Sequence, residues 1–422
     1  MKRSLYWYPI DNAGKIFPAV SRYSRSSVFR LSYYINELID PNLLNKAVNE
    51  VLPRLEPFSV QLKSGLFWHY LSVNHKPFQV KEEPSVVCQF EPWSTNNGYL
   101  FQVFYFKNKI TLETFHSLSD GTGAMEFLKS IVFRYLQLKG HSMDHEGKIL
   151  SQAPFTQNEV VDSFLYSYDK SNKKKLKEEP AYHMKGETFK DNFSLCIRVK
   201  VPTDQLLNHT RNLQVTIGEY VTALLAYSIY IRDVGCHTSK KPIKIFVPVN
   251  LRKFFPSTTL RNFSLYIKAT YPGNQHWDFS SLLNSTKEQF MQQLQKDDLH
   301  GRINSNVGIE KNIFVKILPL FIKNLAFQCG YYYLAENINT CAISNLGNVQ
   351  LPKDMKPLIK DVEFSIGGTS IAIVSIHNHT NIMLNSKTKD LSVYQHFIQA
   401  LSEAGMEVVI DTNYEEGLDE IL

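Results

Sequence analysis

One run limits the architecture of this chain more than any other: Asp169-Lys170-Ser171-Asn172-Lys173-Lys174-Lys175-Leu176-Lys177-Glu178-Glu179-Pro180. It is the most polar stretch present and reads as a solvated linker. Strand-like and helix-like patterns mix on both sides of it. With 422 residues the chain is long for one core and suits two subdomains. The boundary divides it into an N-terminal subdomain 1–168, a polar linker 169–190 and a C-terminal subdomain 191–422. The mixture predicts an α/β fold of two layers, each a mixed sheet flanked by helices.

In the first half, Asp40-Pro41 opens a helix, with the aspartate as cap and the proline at the first helical position. Residues 99–106 and 109–115 predict a hairpin turned by Lys107-Asn108. A helix with a wide apolar face follows over 124–138 and stops at Gly140. In the second half, strands are expected at 192–201, 243–249, 262–270, 340–346, 362–366, 371–377, 381–384 and 406–410. Helices are expected from Thr203 and over 218–231, 279–299 and 391–404. Residues 313–334 form the most apolar long run. Lys316, Pro319, Lys323, Asn324 and Gln328 argue against a transmembrane helix there, so a core helix with one wet face is expected.

Composition excludes several classes. The net charge of +6 is scattered among acidic residues and does not form the basic stripe of a nucleic-acid binder. It reads as a solvated surface with a local patch for a phosphate-bearing cosubstrate. The five cysteines have no metal-type spacing, so free thiols and no metal site are expected. The N-terminus lacks the pattern of a signal peptide, which points to the cytoplasm. His377-Asn378-His379 sets two imidazoles on one face of a strand, expected as a hydrogen-bonded wall.

Three stretches set polar residues at the ends of apolar strands, where layered α/β folds build their sites. They are His116-Ser117-Leu118-Ser119-Asp120-Gly121, Val247-Pro248-Val249-Asn250-Leu251-Arg252 and Ala342-Ile343-Ser344-Asn345-Leu346-Gly347. Each has a plain structural reading alone. His116 suits a histidine satisfied by a backbone carbonyl, Asp120 a helix cap, Arg252 a surface turn and Asn345-Leu346-Gly347 a hairpin turn. The chemical reading makes His116 a base, since a neutral imidazole accepts a proton near neutral pH.

Together the three stretches resemble the chloramphenicol acetyltransferase-like superfamily of CoA-dependent acyltransferases, and most of all bacterial alcohol acetyltransferase-like proteins. The opening from Leu5-Tyr6-Trp7-Tyr8-Pro9 to Phe17-Pro18-Ala19 is similar to theirs, as are Phe29-Arg30-Leu31-Ser32 and Leu52-Pro53-Arg54-Leu55-Glu56-Pro57-Phe58. The resemblance implies two subdomains of that type with an active-site tunnel between them. It implies an acyl group, acetyl or another short one, moving from acyl-CoA to an alcohol or amine. His116 is implied as general base. Asp120 and Gly121 support its turn, with Asp120 paired to Arg252. Ser344 and Asn345 become candidate oxyanion or substrate contacts. Acyl-CoA is then a cosubstrate, with no bound cofactor and no metal. The partners implied are a small-molecule acceptor and an acyl thioester, with no nucleic acid and no membrane span. The family's motif has two adjacent histidines, and the first is Phe115 here. Two other readings stay open: a thioester borne on an acyl carrier protein, as for condensation domains, and a non-catalytic binding protein whose tunnel is filled by Phe115 or Phe254.

Overall fold

Strand Phe101–Phe106 returns through Lys107 and Asn108 into strand Lys109–Phe115, antiparallel and with Phe106 opposite Lys109. This hairpin is the centre of a five-stranded mixed sheet. Val28–Ile35 adds antiparallel to Lys109–Phe115, and Lys81–Glu82 adds parallel to Phe101–Phe106. The computed structural model describes residues 7–89, 91–171, 178–190, 193–234 and 239–413. Helices Pro41–Val51 and Gly121–Leu138 cover the sheet, and Asp40 caps the first by accepting from the Asn42 and Leu43 N–H groups. Residues Trp7–Pro9, His69–Val73 and Val60–Ser64 make a separate three-stranded sheet.

The fifth strand of the first sheet comes from the other half of the chain. Ile359–Ile366 pairs antiparallel with Val28–Ile35. Met355, Ile359, Val362 and Phe364 enter the same core as Phe58, Phe115 and Phe127. A seam of polar contacts ties this strand to the second sheet. Asn381 donates to Asp361 Oδ1 and to the Val362 carbonyl, both at 2.7 Å. Arg198 and Lys200 pair with Glu363 and Asp361.

The second sheet has seven strands in the order Ser264–Tyr271, Ile243–Asn250, Cys341–Asn348, Ser370–Ile376, His379–Ser386, Leu195–Pro202, Val409–Thr412. It is also mixed, because Cys341–Asn348 runs parallel to both of its neighbours. Helices Ile217–Ile229, Phe279–Gln293 and Ser392–Glu403 pack over it around a second core that includes Ile245, Ile373 and Phe397. The chain is thus α/β, with two main mixed sheets flanked by helices. The middle of the polar run, 172–177, lies outside the described residues, as does Cys236; the other four cysteines are free thiols.

Three expectations need correction. Residues 279–299 are two helices, Phe279–Gln293 and Lys296–Lys311, with the break at Leu294-Gln295. His377 and Asn378 are the turn between Ser370–Ile376 and His379–Ser386, with φ +54° at His377, so the two imidazoles do not share a strand face. The run 313–334 is not a core helix. Pro319 divides it into Ile313–Ile317 and Leu320–Tyr331, because proline supplies no N–H inside a helix. The side chain that Leu320–Tyr331 buries is Lys323, while Phe321, Ile322 and Leu325 face outward.

Candidate active site

Phe115, the last residue of its strand, enters the N-terminal core and is 1% exposed. Full burial of such a ring contributes roughly 1.5–3 kcal/mol. The next residue, His116, continues the ladder by donating its N–H to the Ser27 carbonyl at 3.0 Å, and its ring is half-buried. Phe17 stacks on the imidazole with centroids 4.7 Å apart, and Phe29 meets it edge-on at 5.1 Å.

A chain of hydrogen bonds fixes this ring. His116 Nδ1 lies 3.1 Å from Asn262 Oδ1. Asn262 Nδ2 donates to Asp11 Oδ2 at 3.0 Å and to the His116 carbonyl at 2.8 Å. Both amide protons are committed, so the amide oxygen is the acceptor. The proton between the two residues therefore sits on His116 Nδ1, and Nε2 keeps its lone pair. Burial lowers the pKa of His116, opposed by the Asn262 bond and the charge of Asp120, so the ring is a neutral imidazole at neutral pH. Asp11 also accepts from the Gly14 N–H at 2.7 Å. Its carboxyl is pushed up by burial, against the bonds from Asn262 and Gly14 and the nearby charge of Arg261. Asp162 accepts from the Asn12 N–H at 2.8 Å and is pushed up to about 7 by burial and by the charge of Asp11.

Asp120 does both things open to it. As N-cap of Gly121–Leu138 its Oδ1 accepts from the Gly123 N–H at 3.0 Å. Its Oδ2 accepts from Arg252 Nη1 at 2.7 Å and from the Phe263 N–H at 2.9 Å. Arg252 also donates to the Thr259 carbonyl and, at 2.7 Å, to the Arg261 carbonyl. The guanidinium thereby binds the segment that carries Asn262 to the helix that follows His116. Ser119 Oγ donates to the Leu260 carbonyl at 2.6 Å and joins the same two segments.

The third stretch arrives from the neighbouring strand. A Cβ on Gly121 would meet Leu346 Cδ2 at 2.8 Å, so a side chain rather than backbone approaches Gly121. Strand Cys341–Asn348 is irregular between Asn345 and Asn348, and Gly347 has φ +74°. Asn345 is exposed and its Oδ1 accepts from the Gly347 N–H at 2.8 Å, while Ser344 is half-buried. Asn250 donates to Thr122 Oγ1 at 3.1 Å, which brings the second stretch to the first turn of the helix.

No family model matches the chain, and no curated protein does. Solved structures match it over nearly their whole length. TRI101 of F. graminearum, complexed with coenzyme A and T-2 mycotoxin, is similar with a TM-score of 0.62 at 11% identity, over 96% of this chain and 100% of that one. The starter condensation domain of rhizomide synthetase RzmA, in a complex with C8-CoA and Leu-SNAC, gives 0.57 at 11% identity, over 95% of each chain. Polyketide synthase associated protein 5 from Mycobacterium tuberculosis gives 0.56 at 12% identity, over 93% and 96%. The fold is chloramphenicol acetyltransferase-like.

Within this chloramphenicol acetyltransferase-like fold, His116, Asp120, Gly121 and Arg252 form one cluster, and Leu346 connects it to the third stretch. Sequence reasoning missed Asn262, Asp11 and Phe17. Asn262 opens an expected strand, the same signal of a polar residue at a strand end that singled out the other stretches. Asp11 and Phe17 lie in the N-terminal segment singled out only for its resemblance, and no local pattern connects them to residue 116.

Proposed function

We propose that this protein transfers an acyl group from a CoA thioester to an alcohol or amine, with His116 as general base. The observation that carries the reading is the His116–Asn262–Asp11 chain. It leaves Nε2 of a neutral imidazole as the basic atom. In the proposed reaction Nε2 takes the proton of the acceptor O–H or N–H as that atom bonds to the thioester carbonyl carbon. The tetrahedral oxyanion collapses, the C–S bond breaks, and the leaving thiolate takes the proton from the imidazolium. The products are an ester or amide and free CoA. No acyl-enzyme is needed.

In this reading 1–168 and 191–422 supply opposite walls of a tunnel that meets at His116. Asp120, Gly121 and Arg252 hold the turn. Ser344 is the better-situated oxyanion donor, because Asn345 is exposed and folded onto its own bulge. The complexes of TRI101 and RzmA with coenzyme A or C8-CoA support an acyl-CoA donor, and short acyl groups, acetyl first, are the class to try. The location of Phe115 in the core, away from the role of tunnel plug, speaks against a non-catalytic binding protein.

The test is His116→Ala in transfer assays with a panel of acyl-CoA donors and alcohol and amine acceptors. A loss of ~10²–10⁴-fold is expected. Equal rates for variant and parent would refute the assignment. The same panel presented on an acyl carrier protein distinguishes a carrier-borne donor from free acyl-CoA.

A further inference from the structure

Helices Ile313–Ile317 and Leu320–Tyr331 are built inside out. The first buries no side chain, and the second buries Lys323. Lys323 Nζ donates to the Phe67 carbonyl at 2.9 Å and the Lys316 carbonyl at 3.1 Å, and lies 3.8 Å over the Trp68 ring. Most of the large apolar side chains face water instead. Phe314 is 74% exposed, Phe321 73%, and Ile313, Ile317 and Leu325 are each more than half exposed. The tip of the hairpin between Val60–Ser64 and His69–Val73 extends the same face. Leu66 is 71% exposed, and its carbonyl accepts from the Leu320 N–H at 2.9 Å. A continuous apolar surface of this kind marks an interaction site, since water gains nothing from contact with it.

The charges say what covers it. Between Glu310 and Glu336 the sequence holds Lys311, Lys316 and Lys323 and no acidic residue. Lys311 and Lys316 are exposed, and so is Lys63 beside the hairpin tip. We infer that this face docks on an anionic lipid bilayer: the exposed phenylalanines and aliphatic side chains enter the headgroup boundary, and Lys63, Lys311 and Lys316 meet lipid phosphates. Among the described residues no helix is long and apolar enough to cross a membrane, so the contact is peripheral. A second copy is a poorer occupant, because a two-fold contact would bring the lysines of both copies to one apolar interface. The docked face lies one helix from the candidate site. Gln328 Nε2 donates to the Ala19 carbonyl at 2.9 Å, in the short helix whose Phe17 stacks on His116.

The test is flotation of the full chain with vesicles of phosphatidylcholine alone and of equal parts phosphatidylcholine and phosphatidylglycerol. Flotation is expected with the anionic vesicles, weakening as salt is raised. The double variant Phe314→Asp, Phe321→Asp is expected to weaken it at least about tenfold, and Lys311→Glu with Lys316→Glu likewise. All four side chains are exposed, so unchanged melting curves show that the variants fold. His116→Ala is expected to float as the parent does, which separates this inference from the proposed reaction. Absence of flotation with anionic vesicles, or flotation unchanged in the Phe314→Asp, Phe321→Asp variant, overturns the proposal. So does a dimer in light scattering that this variant converts to monomer, which would assign the face to a second copy.

Discussion

Asn262 spends one amide proton on Asp11 and the other on the carbonyl of His116, so only its oxygen faces the imidazole. Asn262→Ala removes the acceptor that holds the proton on Nδ1. If His116 is the base of the proposed transfer, a fall in kcat of at least about tenfold is expected with KM little changed, because the imidazole loses its orientation and contacts elsewhere on the donor are untouched. Asn262→Asp brings a carboxylate to Nδ1 and favours the imidazolium, so the acid limb of the pH–rate profile moves to higher pH. In the parent, burial holds the His116 pKa below the 6.5 of an unperturbed histidine, and the acid limb is expected below that value. The same shift affects stability. The unfolded chain binds this proton more readily than the folded one, so the contribution of His116 costs stability as pH falls through about 6.5 and below. Denaturant titrations of parent and His116→Ala at neutral and acidic pH measure that part. Of this site, His116 and Asp120 are legible from one short stretch, because a strand exit and a helix cap are local patterns. The pairing of Arg252 with Asp120 emerges only from the resemblance. Asn262 and Asp11 are hidden, since their hydrogen bonds span 146 and 251 positions and leave no periodic trace.

The helix Gly121–Leu138 and the segment 250–263 behave as one element held by Arg252. Lysine at that position keeps a charge for Asp120 but cannot also reach the carbonyls of Thr259 and Arg261. Arg252→Lys is therefore expected to cost about 1–3 kcal/mol in urea unfolding, from carbonyls left without partners. Gly123 is the tighter of the two glycines. A Cβ there would collide with Ser119 Oγ and with the Leu260 carbonyl, which is backbone and cannot yield. Gly121→Ala displaces only the end of the Leu346 side chain. Gly123→Ala is expected to destabilise by about 1–3 kcal/mol and Gly121→Ala by less, a ranking that paired melts establish. The hairpin 101–115 and its following helix are readable from alternation and an apolar stripe. The run 313–334 misleads, because hydropathy records how apolar a segment is and not which way it faces. Its orientation follows from one lysine that finds carbonyls and an indole ring beneath the helix.

At the scale of the molecule, strand Ile359–Ile366 decides how the two halves behave. It closes an edge of the first sheet, on Val28–Ile35, from a sequence position deep in the second half. Nothing in its own alternation distinguishes it from strands of the second sheet, because a strand's partner is set by tertiary packing. A fragment ending in the polar run would expose the edge of Val28–Ile35 and lose Met355, Val362 and Phe364 from its core. Residues 1–174 produced alone are therefore expected to aggregate or to unfold without a cooperative transition. Co-expressed with 175–422, the same fragment gains its fifth strand and the Arg252–Asp120 pair from its partner. The two are expected to copurify as a one-to-one complex that melts in a single transition, read by size exclusion and circular dichroism. Independent, cooperative folding of 1–174 would show that the exchanged strand adds little. Failure to copurify would show that covalent continuity through the polar run is needed to bring that strand home.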